Sequence, residues 1–387
     1  MNAVSRRETC LICGVMLVAM AVVADPRKDG PDFYHWIDSA QGRQASLTQM
    51  RQHCDQVLAP GKHLDCSVTV LARMFEAKAA NQLPDYYLAI KRRHAQAIAN
   101  DPELKALFSM FGSESIATLR QVADFSLTRA QQREVLPIHP YPNEGHVATD
   151  VLPYLDVQAA NGVSERFILD TGAPQTRVNS DTAKRMGIRL LSDSEYGYST
   201  FYGERDLAAK LGILESLTIG TSEFRNVLVF VSDRDNLLGL DLIGKLGRLN
   251  VTKKTLEINA AAPTRCDSPV NFVRLDINQR LTLAARLDRR ATVAIIDTGN
   301  VDYLTSSTPG ASPVHVIDRP PHQIFKGELS LSGRVRWVAY KYYPGFTIPP
   351  SLLLGQYVPS ILFGWRAFND YELNLDIASG LSCFNRV

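Results

Sequence analysis

The tripeptide Asp-Thr-Gly occurs twice in this chain, each time at the end of an apolar run. The first copy is Phe167-Ile168-Leu169-Asp170-Thr171-Gly172-Ala173, and the second is Ala294-Ile295-Ile296-Asp297-Thr298-Gly299-Asn300. One copy alone would read as a turn after a strand, because Asp, Thr and Gly all favour turns. Two copies with the same lead-in point to an internal duplication that brings two aspartates together. An apolar strand buried on both faces holds its end rigidly. Gly172 and Gly299 let the chain turn tightly and let another segment approach closely. Thr171 and Thr298 supply hydroxyls that can bond locally or across to a facing loop.

Two such loops facing each other predict two carboxyl groups in contact. Like charges that close do not both ionise easily, so the pair keeps one proton. It then holds a general base, which takes a proton from water, and a general acid, which protonates the carbonyl oxygen under attack. Those two groups suffice to hydrolyse an amide without a metal or a covalent intermediate. The protons belong to the pair rather than to Asp170 or Asp297 separately.

Further landmarks follow each copy in the same order. Leu237-Leu238-Gly239-Leu240-Asp241 follows the first, and Ile361-Leu362-Phe363-Gly364 follows the second. Gly239 lies 69 residues after Asp170, and Gly364 lies 67 after Asp297. The text converges again at Leu249-Asn250-Val251 and Leu373-Asn374-Leu375. On these motifs, residues 145–387 resemble the aspartic peptidases of the pepsin and retropepsin group. The resemblance implies a mainly β, bilobal fold with a cleft between a first lobe (146–265) and a second (266–387). It implies Asp170 and Asp297 as the catalytic pair, with Thr171 and Thr298 bracing the loops and Gly172 and Gly299 allowing the turns. It implies no metal and no organic cofactor. The expected partner is a protein or peptide substrate lying across the cleft like an added strand. With both lobes in one chain, a monomer is expected.

The resemblance also implies a flap hairpin around Tyr196–Gly203, with Tyr198 and Tyr202 as candidate substrate contacts; hairpin packing is the alternative role for those rings. Ala173 fits the retropepsin form of the motif, whereas Asn300 fits neither usual form. Its amide could still donate a hydrogen bond near the carboxylate. The second repeat is less regular, interrupted by Pro320, Pro321, Pro344, Pro349 and Pro350. The competing reading is a catalytically silent scaffold that binds a protein or peptide through its cleft or its helical domain. Trp337, Tyr340, Tyr342 and Tyr343 would line subsites or fill the core.

Residues 1–24 read as a signal peptide. Arg6 and Arg7 precede an apolar run from Cys10 to Ala24, which ends in small residues and is short for a membrane span of about 20 residues. A periplasmic or secreted protein without stable membrane insertion is expected. Cleavage would remove Cys10 and Cys13 and leave Cys54, Cys66, Cys266 and Cys383. An even number in an exported chain favours disulfides, and three pairings are open. Cys54 with Cys66 is the local choice; Cys266 with Cys383 would tie the start of the second lobe to its last strand. No Cys/His spacing fits a zinc site.

Residues 25–136 read as a helical N-terminal domain. Ser46 and Asp101 are cap residues, Pro102 suits a first helical position, and apolar stripes such as Leu104, Leu107, Phe108 and Phe111 would pack together. The proline-rich stretch 137–145 is expected to be a linker. A net charge of +2 gives no case for a nucleic-acid partner. No Gly-rich phosphate loop and no nucleophile-elbow serine stands out. The sequence thus predicts an exported aspartic endopeptidase behind a small α-helical domain.

Overall fold

A computed structural model describes residues 32–37, 39–142, 151–198, 207–274, 279–314, 324–343 and 359–387. The expected signal peptide lies outside them. The fold is mainly β, with 41% strand and 26% helix among the described residues; most of the helices precede the strands, and short ones such as Ser180–Arg185 and Leu240–Ile243 lie among them.

The first lobe is built from strands that are apolar on one or both faces. Strand Ser164–Leu169 runs into Asp170 with Phe167, Ile168 and Leu169 all buried. Leu237–Leu238 lies parallel to it, pairing Leu237 with Ile168 and Leu238 with Leu169, and is flanked on its other side by Arg177–Asn179. The long hairpin Leu207–Ile219 and Ser222–Ser232 closes the sheet. The second lobe repeats the plan. Strand Arg290–Ile296 runs into Asp297, Pro359–Phe363 lies parallel to it, and Leu304–Ser306 pairs on the far side. The hairpin Ile324–Leu331 and Arg334–Tyr342 takes the place of the long hairpin. So the apolar-apolar-Gly stretches run beneath their aspartate loops in both lobes.

The third landmarks meet each other. Leu249–Val251 pairs antiparallel with Tyr371–Leu375, placing Asn250 opposite Asn374. This pairing joins the lobes through one sheet, extended by Thr255–Ile258 on one side and by Ser382–Arg386 and Ser268–Arg274 on the other. One apolar core runs through both lobes. Tyr340 is part of it, whereas Trp337 is 68% exposed.

Two features near residue 137 differ from the expected domain division. The N-terminal run of helices ends at Arg120, and Ser126–Thr128 already forms an edge strand on the first lobe. The stretch expected to be a linker is paired as far as it is described: Glu134–Pro137 extends the lobe-joining sheet, and His139–Pro142 pairs with Val151–Ala159. Proline is tolerated there because these strands lie at sheet edges, where a missing N–H leaves no ladder bond broken.

The helices form as their caps dictate. Ser46 and Gln49 make a reciprocal capping box on Leu47–Asp55, and Asp101 accepts from the amides of Glu103 and Leu104. Cys54 is bonded to Cys66, with Cα atoms 5.6 Å apart, and Cys266 to Cys383, at 5.3 Å. The helical region has its own core, and that core includes part of the first lobe. Leu211, Ile213, Leu228 and Phe230 point outward from the long hairpin and pack among Phe75, Phe111 and their neighbours. Asp193, in the first lobe, caps helix Ser113–Arg120 by accepting from the amides of Glu114 and Ser115. The hairpin is therefore apolar on both faces: Val227, Val229 and Val231 face the lobe, and the alternate residues face the helices.

Candidate active site

Each aspartate stands just past the end of a buried strand, and each loop is held by the same two backbone bonds. Asp170 N donates to Leu238 O at 3.0 Å, and Leu240 N donates to Ala173 O at 2.9 Å. In the second lobe, Asp297 N donates to Phe363 O at 2.8 Å, and Trp365 N donates to Asn300 O at 2.6 Å. The parallel stretch beneath each loop thus fixes where its carboxyl points.

The two loops are locked to each other by their threonines. Thr171 N donates to Thr298 Oγ1 at 2.9 Å, and Thr298 N donates to Thr171 Oγ1 at 3.1 Å. Each hydroxyl then donates onward to the opposite strand: Thr171 Oγ1 to Ile296 O at 2.8 Å, and Thr298 Oγ1 to Leu169 O at 2.5 Å. Both threonines are fully buried, so every one of these bonds replaces a solvation that is no longer available.

The crossing brings the carboxyls together. A Cβ added at Gly172 would lie 2.2 Å from Asp297 Oδ1, and one added at Gly299 would lie 2.5 Å from Asp170 Cγ. Each glycine therefore makes room for the other lobe's aspartate. Asp170 and Asp297 are 8% and 5% exposed, and each carboxyl acts on the ionisation of the other. Asp170 Oδ1 also accepts from the amides of Gly172, at 2.8 Å, and Ala173, at 2.9 Å. Asp297 Oδ1 accepts from Gly299 N at 3.1 Å.

Burial pushes both carboxyls above the ordinary aspartate value. For Asp170, the Ala173 and Gly172 amides pull the other way. For Asp297, burial is reinforced by the neighbouring Asp170 charge, which carries it well above the ordinary range, while Arg280 pulls it partly back. The pair shares its proton, and two amides on Asp170 against one on Asp297 tilt the negative charge toward Asp170.

Residues 157–245 match the protein family described as "gag-polyprotein putative aspartyl protease". That span contains the first Asp-Thr-Gly and the first Leu-Leu-Gly. Over that span the chain is similar to aspartyl proteases. Among solved structures, the aspartic proteinase from Irpex lacteus is similar at 10% identity and a TM-score of 0.43, covering 66% of this chain and 98% of that one. Basic 7S globulin from soybean is similar at 12% identity and a TM-score of 0.40, covering 65% and 96%. A comparison with curated proteins finds no match.

Other expected aspartic-peptidase residues fare differently. Asn300 does not reach the carboxylate: its Nδ2 donates to Thr305 Oγ1 at 3.0 Å, and its Oδ1 accepts from Asp302 N at 2.9 Å. The amide stiffens its own loop instead. Tyr198 packs in the hairpin, its hydroxyl 3.3 Å from Ser232 Oγ and its ring 5.2 Å from the Arg177 guanidinium. Tyr202 lies outside the described residues. Sequence reasoning missed Arg280, which is buried and donates from Nη1 to Gly172 O across the lobe boundary. Its signal was a charge at the head of the apolar run Leu281-Thr282-Leu283.

Proposed function

We propose that this chain is an exported aspartic endopeptidase in which Asp170 and Asp297 hydrolyse peptide bonds as a pair. The observation that supports this reading is the reciprocal Thr171–Thr298 lock, which holds two buried carboxyls in contact. A structural turn has no use for two acids placed against each other. Water held between them loses a proton to Asp170, whose charge is favoured by two backbone amides. Asp297 donates its proton to the substrate carbonyl oxygen as the water oxygen attacks the carbon. The tetrahedral intermediate then collapses, and the leaving amine takes up a proton from the pair. An extended peptide lies across the lobes, bonded through its main chain.

The test is cleavage of a mixed peptide library from acid to neutral pH by the protein lacking residues 1–24. Asp170→Asn and Asp297→Asn are each expected to lower kcat by about a thousandfold or more, because neither proton role can be filled by the other group alone. Cleavage that survives either substitution refutes the shared mechanism. A folded parent that cuts nothing at any pH supports the scaffold reading instead.

A further inference from the structure

Helix Pro60–Glu76 ends in a turn whose Lys78 has φ +62°, in the left-handed region. The turn is of a common helix-ending type: Lys78 N donates to Phe75 O, and Ala79 N donates to Met74 O. Glycine is the usual residue there, since a side chain strains that conformation. Lys78 adopts this conformation while its ammonium reaches into the first lobe.

That ammonium is buried, with the Lys78 and Asp241 side chains 1% and 0% exposed. It is paired with Asp241 Oδ2 and also donates to Leu228 O at 2.8 Å and Gln175 Oε1 at 3.3 Å. All three of its hydrogens are therefore used. The three acceptors belong to three different segments of the first lobe: the stretch after the Leu-Leu-Gly landmark, the long hairpin, and the loop that follows Asp170. Asp241 completes the connection. Its Oδ2 accepts from Thr176 N at 3.0 Å, and its Oδ1 accepts from Thr176 Oγ1 at 2.7 Å. Thr176 Oγ1 in turn accepts from Gly239 N at 3.1 Å. Gly239 lies between Leu238 and Leu240, whose backbone bonds fix the Asp170 loop.

We propose that Lys78 is a positioning residue for the Asp170 loop, which makes the helical region a built-in part of the active centre. Asp241 without Lys78 would be a buried carboxylate stripped of its direct ion-pair partner at the base of the loop, with Lys245 the nearby cation left in its field, and such a group relaxes at the expense of local geometry. Removing the helices would therefore disorder the first aspartate loop rather than uncover a finished cleft. The kinetic part of this proposal rests on the hydrolytic reading above; the structural part does not.

Native-state hydrogen exchange of the full parent chain tests the structural part without any activity. Amides of residues 170–176 are expected to open together with those of helix Pro60–Glu76, at one denaturant concentration. Helix amides that open first, with 170–176 still closed, overturn the proposal. The paired variant Lys78→Gly with Asp241→Asn removes both charges, so neither is left buried alone, and glycine suits the turn. In the folded variant, exchange of 170–176 is expected to rise at least about tenfold while that of the second-lobe strand Ile324–Leu331 is unchanged, with kcat about tenfold to a hundredfold lower and KM within about threefold. Parent-level exchange in that variant refutes the role of Lys78. Should the variant fail to fold, the parent measurement decides alone. A parent that cleaves no peptide sinks the hydrolytic reading, while the exchange comparison still rules on Lys78.

Discussion

At Asp297 the protein buries a carboxyl beside another carboxyl and within the field of Arg280. Its folded value is raised above the ordinary 3.8, so the stability it contributes is full below about pH 4 and is lost as pH rises through the folded value. Asp297→Asn removes that loss. The variant is expected to melt higher than the parent at pH 7 and to show no such gain at pH 3, measured by thermal unfolding; equal shifts at both would rule out buried ionisation as the cause. Arg280 acts in the opposite sense, favouring the charged form of Asp297. Arg280→Met should therefore move the alkaline limb of the cleavage profile to higher pH. A limb that stays in place would mean that the guanidinium serves only Gly172 O.

The two Asp-Thr-Gly loops behave as one element, although 127 residues separate their aspartates. What joins them is four hydrogen bonds through two hydroxyls, with donors and acceptors all buried. Thr171→Val keeps the shape but strips Ile296 O and Thr298 N of their partner. That should cost about 1–3 kcal/mol of stability and most of the activity, whereas Thr171→Ser should retain both. Equilibrium unfolding of the two variants checks this, and a Val variant as stable as the Ser variant would show that the lock is dispensable. Asn300 illustrates the same scale. Its amide could have donated near the carboxylate, yet it is taken by Thr305 and Asp302 within its own turn.

For the whole molecule, the lobes, the lobe-joining sheet and the helices are held together by more than surface contact. Cys266–Cys383 closes a sequence separation of 117 residues that contains most of the second lobe. Replacing both cysteines with alanine should lower stability by about 2–5 kcal/mol, read as a lower midpoint in denaturant. An unchanged midpoint would mean that the sheet alone fixes the lobe. The helices are continuous with the first lobe through the outward face of the long hairpin, where Phe230 lies 6.2 Å from Phe75 and 4.6 Å from Tyr196, ring to ring. The hairpin thus has a helical backing on one side and the lobe core on the other.

Much of this architecture was legible because its causes are local. Apolar runs ending in turn residues dictate a strand and a loop wherever they occur, and their repetition at matched spacing announced two lobes. Caps at Ser46 and Asp101 marked helix starts for the same reason. Tertiary structure decided what no local window contains. Arg280, Lys78 and Asp241 look like ordinary surface charges in the text, since charged side chains are seldom buried unless paired, and the pairing is visible only once distant segments meet. The stretch after Leu136 read as a linker because prolines suit linkers, but sheet edges accept them equally, and only the neighbouring strands show which applies. The sequence by itself determined that two aspartate loops would form; which carboxyl is favoured to keep the proton, and what braces each loop, was decided by burial and by hydrogen bonds between residues far apart in the chain.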